Sequence, residues 1–304
     1  MKDLKNIKIG VFRGGVSAER EVSLVSGAAV FDALKVSGYD VVDCVIDDAA
    51  PEYIEDIVKQ HGIELVFIVL HGEFGEDGTL QQILDDIGVK YTGSGSQASR
   101  DAMDKVRTHE IMQRNNISMP NYSIGTESRI LNPESFPVVV KPAAAGSSFG
   151  VSIVKKAEEF RAACNEALKY SDTVLVEKYI KGRELTVGIL GDTVLPVVEI
   201  RSRADFYDYK SKYEDDATEF IVPADIPDNI VMQAEKSAKQ AYDALGCAGA
   251  VRVDFLLDDD ERLYVLELNT IPGMTSHSLL PLAASKNGLS FFQVCEKIIQ
   301  LSYI

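Results

Sequence analysis

Short apolar runs alternate with amphipathic segments over the first third of the chain. Four runs predict strands: Ile7–Phe12, Val41–Ile46, Leu65–Leu70 and Val89–Tyr91. Three segments between them predict helices: one with an N-cap at Ser17 and a stop at Gly38, then Pro51–Gln60 and Thr79–Ile87. This strict alternation of strand and helix predicts a parallel sheet with helices on both faces, an α/β arrangement.

The pattern changes after segment 91–96, whose glycines and serines predict a domain boundary. One helix is expected over Gln97–Asn115, and a second near Glu158–Lys169. The short apolar runs around the second helix predict five strands: Phe136–Lys141, Val151–Val154, Thr173–Tyr179, Leu185–Leu190 and Val194–Ile200. Strands that follow one another with so few helices predict an antiparallel sheet and an α+β region.

The C-terminal part combines a polar segment, two helices and a hairpin. Arg201–Phe220 is predicted to be a long irregular loop, and loops of that length are often functional. A helix is expected over Asp228–Leu245, and the strands Ala250–Leu257 and Leu263–Leu268 are joined by an acidic turn. A loop rich in glycine, proline and serine leads to a final helix at Phe291–Ser302.

Composition narrows the class of protein. Among 304 residues, 47 acidic and 31 basic side chains give a net charge of −16, which argues against sequence-blind binding to nucleic acid or to an anionic membrane. The four cysteines show no C-x-x-C spacing, so neither a zinc site nor a disulfide framework is expected. Apolar runs of about six residues are far too short to cross a bilayer. A cytoplasmic protein is therefore expected.

The hairpin carries the clearest candidate chemistry. Because side chains alternate along a strand, Arg252 and Asp254 share one face, and Glu267 and Asn269 share a face on the partner strand. Leu266 and Leu268 are expected to point away. The grouped oxygens suit Mg²⁺ that carries nucleotide phosphates. The alternative is an ordinary half-exposed hairpin with an arginine–carboxylate salt bridge.

Three further segments contain residue types that often bind nucleotides, although each could instead be an ordinary loop or surface segment. The stretch from Lys141 to Gly150, with small residues and two serines, could cradle a phosphate or be a flexible hairpin loop. Glu177 and Lys178 lie at a strand end that could equally be a solvated surface. The lysines and tyrosines of Asp205–Tyr213 could close over an anion or form an acidic surface loop.

Polar residues near both ends of the chain suggest a substrate pocket. Glu19, expected in the first turn of its helix, could bind an ammonium group or merely favour the helix dipole. His71 follows a parallel strand, where ligands bind in open α/β sheets, but a structural histidine is the alternative. A backbone N–H of Gly273 and the hydroxyl of Ser278 could serve a carboxylate or oxyanion, or form a capped turn.

Taken in order, these motifs resemble the D-alanine–D-alanine ligase family of the ATP-grasp superfamily. The matching strings span nearly the whole chain: GGVSAEREVSLVSG, LHGEFGEDGTLQ, YTGSG, MDK, VVVKP with GSSFGV, VEKYIKGRELTV, FYDYKSKY, RVDFLL and LELNTIPGMTSHSL. The resemblance implies an ATP-grasp fold with an N-terminal Rossmann-like parallel-sheet domain. It implies three domains, at 1–96, 97–182 and 183–304, and usually a homodimer.

The resemblance also implies a reaction and the residues that serve it. ATP phosphorylates one D-alanine, and the amine of a second attacks the acyl phosphate, which gives D-alanyl-D-alanine for peptidoglycan precursors. Mg²⁺ is implied as cofactor, with Mn²⁺ as a substitute, on Asp254, Glu267 and Asn269. The implied ATP contacts are Lys105, Lys141, Glu177, Lys178, Ile180, Glu184 and Lys212. The implied substrate contacts are Glu19, His71, Arg252, Gly273, Ser278 and Leu279.

Two features affect how the loop closes over the site and which kind of product forms. Ser147, Tyr213 and Glu19 are implied to form a hydrogen-bonded bridge, and a tyrosine at 213 favours a dipeptide over a depsipeptide. Ala145 departs from the polar residue that some relatives carry there, which affects the details of loop closure. The alternatives are a ligase for another acceptor and a nucleotide-binding protein without turnover. A hydride-transferring Rossmann enzyme is disfavoured because the N-terminal glycines do not follow G-x-G-x-x-G.

Overall fold

The computed structural model describes residues 4–130, 132–146, 149–201, 218–275 and 278–303. After a 3₁₀ turn at Leu4–Asn6, four strands form a parallel sheet in the order β2-β1-β3-β4. The strands are β1 Ile9–Gly14, β2 Val41–Ile46, β3 Leu65–Ile68 and β4 Lys90–Tyr91. The helices between them are α1 Arg20–Val36, α2 Pro51–His61 and α3 Thr79–Asp86.

This sheet is covered on both faces, which confirms the prediction from strand–helix alternation. Val30 of α1 packs in the same buried cluster as Val11 of β1. On the opposite face, Ile54 of α2 and Leu80 of α3 share a second cluster with Phe12. Neighbouring residues of β1 therefore enter different cores, as the two-residue period of a strand requires.

A second sheet is antiparallel and has the order β5-β8-β6-β7. Two helices precede it, α4 Ser96–Met103 and α5 Lys105–Arg114. Its strands and the helix that packs on it are β5 Tyr122–Thr126, β6 Val138–Pro142, β7 Ser152–Val154, α6 Ala157–Ala167 and β8 Thr173–Lys178. Phe160 of α6 is buried against Val140 and Val174 of the sheet. The expected antiparallel character is confirmed.

The third sheet is also antiparallel, with the order β12-β11-β9-β13-β14 and with β10 paired to β9. Its strands are β9 Gly182–Leu190, β10 Thr193–Val194, β11 Val198–Arg201, β12 Glu219–Ile221, β13 Ala250–Asp258 and β14 Leu263–Asn269. The helices of this part are α7 Asp228–Ala244, α8 Leu279–Lys286 and α9 Phe291–Leu301. Leu280 of α8 and Ile298 of α9 join the cluster around α1, so the first and last parts of the chain share a core.

The structure corrects four sequence predictions. The helix expected over 97–115 is two helices, because Asp104 is extended and its carboxylate accepts from the N–H groups of Val106 and Arg107 to cap α5. The strand expected over 194–200 is interrupted at Pro196, which has no N–H for a ladder.

The other two corrections concern helix ends and missed elements. Glu19, not Ser17, is the N-cap residue of α1, so Glu19 lies before the first turn rather than in it. The elements β5, β12 and α8 were not expected from the apolar pattern. In the described part of the chain, no helix is long and apolar enough to cross a membrane.

Candidate active site

The hairpin of β13 and β14 brings its polar residues into register. Arg252 lies opposite Asn269, and Asp254 lies opposite Glu267. Arg252 donates from Nε and Nη2 to the two carboxylate oxygens of Asp254, each at 2.8 Å. Nδ2 of Asn269 donates to Oδ2 of Asp254 at 3.0 Å. The predicted shared polar face is confirmed, and the predicted salt bridge is part of it.

The opposite face of β13 is apolar and fixes the orientation of the polar one. Val251, Val253 and Phe255 are almost completely buried beneath α7. Thr186 of β9, on the other side of β13, donates to Oδ1 of Asp254 at 2.6 Å. Asp254 is therefore held by three neighbours on three strands, and its carboxylate has one defined orientation.

A β-bulge corrects the expected position of Leu266. The register shifts between Asp254 and Phe255, so that the pairing passes from Glu267 to Val265 and leaves Leu266 without an opposite residue. Leu268 is buried as expected, but Leu266 lines the cleft beside Glu267. The prediction of strict alternation was wrong at this residue because a bulge interrupts the two-residue period.

A cleft lies between the second and third sheets. β6, β7 and β8 form one wall, and β9, β13 and β14 form the other. Predicted site residues from both walls meet in it: Lys105, Lys141, Glu177, Lys178, Ile180, Glu184, Arg252, Asp254 and Glu267. Apolar side chains such as Val139, Ile153 and Leu256 line the cleft between these polar groups. An apolar slot with few polar groups is typical of small-molecule sites.

Three polar side chains are joined by contacts beside the cleft, and two of them, Lys141 and Glu177, line it. Nζ of Lys141 lies 2.7 Å from Oε2 of Glu177, and both side chains are buried. Burial alone would raise the pKa of Glu177, but Lys141 and then His109 lower it below its usual value. Nε2 of His109 lies 2.8 Å from the other oxygen, Oε1. Sequence reasoning missed His109; its position four residues after Lys105, on the same face of α5, was the available signal.

The start of α5 is tied to the loop of small residues. The backbone N–H of Lys105 donates to Ala143 at 2.9 Å, and Nζ of Lys105 donates to the carbonyl oxygen of Ala145 at 2.5 Å. Two cationic side chains, those of Lys105 and Lys141, therefore reach this part of the cleft. Such a pair suits an anionic ligand with more than one charge.

A second, buried group of polar residues lies beside the N-terminal sheet. The Glu19 side chain is buried, and the backbones of Gly72 and Gly146 pack against its carboxylate. His71 is also buried, and its Nδ1 lies 3.0 Å from the carbonyl oxygen of Ile271, which makes Nδ1 the donor. Nε2 of His71 has no hydrogen-bond partner within the described chain. This nitrogen can accept a hydrogen bond from a ligand.

Electrostatics link this pocket to the cleft. Burial, together with the positive charge of Arg252, lowers the pKa of His71 to about 4 despite the hydrogen bond to Ile271. Desolvation and the nearby Glu19 carboxylate raise the pKa of half-buried Glu76, which accepts from the Gly72 N–H at 2.7 Å. The charges of Arg252 and Glu267 also affect the pKa of Glu76, which Arg252 lowers and Glu267 raises. Sequence reasoning missed Glu76, although it stands in the motif that contains His71.

The segment after β14 holds two further predicted site residues, Gly273 and Ser278. A methyl group added at Gly273 would lie 2.8 Å from Oγ of Ser278. That hydroxyl accepts from the N–H of Thr275 at 2.9 Å and contacts its Oγ1 at 2.8 Å. Leu279 begins α8 and is buried in the core. The structure thus brings Gly273 and Ser278 together, whereas Leu279 packs inward in this arrangement.

Three predicted site residues, Ser147, Lys212 and Tyr213, lie outside the described residues.

The predicted metal site has few acidic ligands. Within the described ranges, no group of three or more His, Cys, Asp or Glu side chains is positioned to hold a metal ion. The predicted set has two carboxylates, Asp254 and Glu267, with an amide from Asn269.

Comparisons with known proteins agree with this geometry. The family described as D-ala D-ala ligase C-terminus matches residues 106–300, and the family described as D-ala D-ala ligase N-terminus matches residues 51–94. The chain is 43% identical over 300 residues to the D-alanine–D-alanine ligase of Syntrophotalea carbinolica, covering 98% of this chain and 97% of that protein. It is 44% identical over 301 residues to the enzyme of the same name from Geotalea uraniireducens, covering 98% and 96%.

Solved structures show the same architecture. The D-alanine–D-alanine ligase of Bacillus anthracis, complexed with ATP, matches with a TM-score of 0.86 and 32% identity, covering 98% of this chain and 97% of that one. The D-Ala:D-Ser ligase VanG of Enterococcus faecalis matches with a TM-score of 0.84 and 32% identity, covering 98% and 99%. These matches confirm the expected ATP-grasp fold with its N-terminal parallel-sheet part, and the resemblance drawn from the motifs.

Proposed function

Because the chain belongs to the D-alanine–D-alanine ligase family, we propose that it joins two molecules of D-alanine into D-alanyl-D-alanine as ATP is converted to ADP and phosphate. One observation carries the proposal. Arg252 lines the cleft between the two antiparallel sheets, and its positive charge also lowers the pKa of His71 and of Glu76 in the buried pocket. A phosphate donor and an amino-acid substrate can therefore meet at this arginine.

The reaction follows from the poor reactivity of a carboxylate. A carboxylate oxygen of the first D-alanine attacks the γ-phosphorus of ATP, the bond to ADP breaks, and a D-alanyl phosphate forms. The amine of the second D-alanine then attacks the carbonyl carbon and loses a proton, and the bond to phosphate breaks. Phosphoryl transfer depends on positioning and charge neutralisation more than on covalent help from the protein.

We assign ATP to the cleft. Lys105 and Lys141, buried and close to the small-residue loop, contact its phosphates together with Lys212. The base and ribose are surrounded by residues at the end of β8 and the start of β9: Glu177, Lys178, Ile180 and Glu184. Support for the nucleotide comes from the related Bacillus anthracis structure, which is complexed with ATP.

We assign Mg²⁺ to Asp254, Glu267 and Asn269. The donor set fits, since two carboxylates and an amide oxygen at adjacent strand positions are hard ligands of the kind that this ion takes together with nucleotide phosphates. Bound there, Mg²⁺ or Mn²⁺ would neutralise charge on the transferring phosphoryl group. Thr186 and Arg252 fix the orientation of Asp254 from either side.

We assign the first D-alanine to the buried pocket. Glu19 takes its ammonium group, and Nε2 of neutral His71 is available as a hydrogen-bond acceptor beside it. Arg252 and the N–H of Gly273 stabilise the oxyanion of the tetrahedral intermediate. Ser278 and Leu279 meet the second D-alanine. Ser147 and Tyr213 complete a hydrogen-bonded bridge to Glu19. In support of this, the backbone of Gly146, next to Ser147, lies against the carboxylate of Glu19.

D-serine is the second candidate for the acceptor. The match to the D-Ala:D-Ser ligase VanG over 98% of the chain supports D-serine as this candidate. Tyr213 supports a dipeptide over a depsipeptide product, which argues against D-lactate but does not separate D-serine from D-alanine. Adding D-serine or D-lactate with D-alanine, followed by mass analysis of the product, distinguishes these acceptors.

The wider role follows from the family. We propose three domains, with boundaries near residues 96 and 182, a homodimer, and a place in the cytoplasm, where ATP is abundant. The dipeptide would enter peptidoglycan precursors, so the enzyme would contribute to cell-wall biogenesis and cell shape. Size-exclusion chromatography with light scattering tests the dimer.

Phosphate release from ATP and Mg²⁺ tests the activity. We expect release with D-alanine but not with L-alanine or without an amino acid, and a product with the mass of D-alanyl-D-alanine. If folded protein binds ATP but releases no D-alanine-dependent phosphate, the proposed reaction is wrong and a nucleotide-binding protein without turnover is favoured.

A further inference from the structure

We infer that His109 is a positioning residue of the ATP cleft, which holds one carboxylate oxygen of Glu177 so that the other stays on Lys141. The inference rests on the proposed assignment of ATP to this cleft. Glu177 and Lys141 line the cleft, whereas His109 does not and acts through them.

The three side chains form one buried chain of contacts. Nε2 of His109 lies 2.8 Å from Oε1 of Glu177, and Oε2 of Glu177 lies 2.7 Å from Nζ of Lys141. An ionised carboxylate only accepts hydrogen bonds, so Nε2 of His109 carries the proton that lies between them. The two oxygens of Glu177 therefore have different donors, and these donors fix the plane of the carboxylate.

The ring of His109 is itself held from two directions. Tyr122 lies on it with ring centroids 4.1 Å apart and an interplanar angle of 30°. Tyr122 pairs with Glu177 in the register of β5 and β8, so the stacking residue and the carboxylate are neighbours on adjacent strands. On α5, His109 is one turn after Lys105, and the cap at Asp104 fixes the start of that helix.

Burial makes this arrangement sensitive to the loss of the donor. Only 3% of the side chain of His109 and 3% of that of Glu177 are exposed. If the imidazole is removed, Oε1 of Glu177 is left without its described partner in a site where water is scarce, and the carboxylate is expected to rotate. Lys141 moves with it, because the ion pair joins the two. The effect reaches the cleft although His109 does not line it.

A consequence for nucleotide selectivity follows. Lys141 and His109 both hold Glu177 in its ionised form, in which it can accept from an amino group but has no proton to donate. A purine with a 6-amino group, such as ATP, therefore suits the site better than ITP, whose 6-oxo group is an acceptor. Loss of His109 is expected to weaken this preference because Glu177 then loses one of the two groups that favour its ionised form.

Two amide substitutions separate positioning from general packing. In His109→Gln the side-chain amide reaches about as far as Nε2, so it can donate to Glu177. In His109→Asn the amide is of the same chemistry but too short. We expect His109→Gln to keep the KM for ATP within about threefold of the wild type, and His109→Asn to raise it about tenfold, as for a lost hydrogen bond to a charged group. For His109→Asn we also expect little change in the KM for D-alanine, and a smaller preference for ATP over ITP.

Thr92→Val is the matched control for stability. Thr92 is buried in the N-terminal part, accepts from the Ile68 N–H at 3.0 Å and is not among the residues that line the cleft. Its loss should lower the melting temperature without a selective change in the KM for ATP. Calorimetric binding of ATP and ITP to each protein repeats the comparison without turnover, so the inference is tested even if the proposed reaction is wrong.

The outcomes are distinct. A selective loss of ATP affinity in His109→Asn, with recovery in His109→Gln, supports a positioning role. Equal ATP affinity and equal ATP-to-ITP preference in the wild type and folded His109→Asn would overturn it. Equal losses in the Asn, Gln and Thr92→Val variants would also overturn it, since only stability would then be affected.

Discussion

The carboxylate of Glu19 lies directly against the backbone of Gly72, and a methyl group at Gly72 would come within 2.7 Å of Oε2 of Glu19. Gly72 has φ +71 and donates its N–H to Glu76. The chain therefore uses a residue without a side chain to let the loop after β3 approach the start of α1. This approach places Glu19 beside His71 in the proposed amino-acid pocket.

Gly72→Ala should weaken the binding of D-alanine as well as the fold. The left-handed backbone should cost about 1–2 kcal/mol of the free energy of unfolding, and the added methyl must also displace Glu19. Gly88→Ala is the matched control, because Gly88 has φ +70 but no atom within 4 Å of an added methyl. In urea unfolding, Gly72→Ala should lose at least as much stability as Gly88→Ala, and the KM for D-alanine should rise only in Gly72→Ala. An unchanged KM in Gly72→Ala would contradict the assigned position of Glu19.

Glu19→Gln should raise the KM for the first D-alanine by about tenfold or more, since an ammonium group loses a buried charged partner. ATP binding, measured by calorimetry, should stay close to that of the wild type. Glu21→Gln is the control, because Glu21 is exposed one residue into α1. Equal losses of D-alanine and ATP affinity in Glu19→Gln would argue against a specific role in substrate binding.

Asp254→Asn and Glu267→Gln should raise the Mg²⁺ concentration needed for half-maximal turnover and lower kcat, because each removes a charged ligand from the proposed ion site. Asp258→Asn, on the same strand but in the turn with Arg262, is the control and should change neither quantity. Titration with Mg²⁺ and with Mn²⁺ measures the effect. A normal Mg²⁺ dependence in both site variants would mean that the metal is held elsewhere.

His71 should make stability fall on the acid side of neutrality. Its pKa is lowered from 6.5 to about 4 in the folded chain, so the unfolded chain binds a proton more readily. This contribution is fully present above pH 6.5 and is lost as the pH falls towards 4, by about 3 kcal/mol at most. Urea unfolding at a series of pH values should show the loss in the wild type and a shallower slope in His71→Gln. Parallel curves would show that His71 is not protonated differently in the two states.

Much of the fold could be predicted because local pattern and tertiary environment agree. The strand Val41–Ile46 was predicted with its observed bounds, and the parallel sheet followed from alternating elements. Where local signals were weak, the prediction failed. The break at Asp104 depends on a cap that competes with helix continuation, and β5 is largely exposed, so it lacks an apolar signature.

In the candidate site, too, some residues could be predicted from the sequence and others could not. Arg252 and Asp254 could be paired from strand periodicity alone, and the structure places them on one face as expected. The orientation of Leu266 could not be predicted, because the two-residue period of a strand gives no sign of a bulge. His109 was missed although it lies one turn after Lys105, because its partner Glu177 lies 68 residues later in the chain.

Transfer of oxygen-18 tests the central claim most directly. D-alanine labelled in both carboxylate oxygens is incubated with unlabelled ATP and Mg²⁺, and the dipeptide and the phosphate are analysed by mass spectrometry. The account predicts D-alanyl-D-alanine together with phosphate that carries one labelled oxygen, because the carboxylate oxygen that attacks phosphorus leaves with it. Dipeptide with unlabelled phosphate would contradict the acyl phosphate route, and no dipeptide from folded protein would contradict the ligase activity itself.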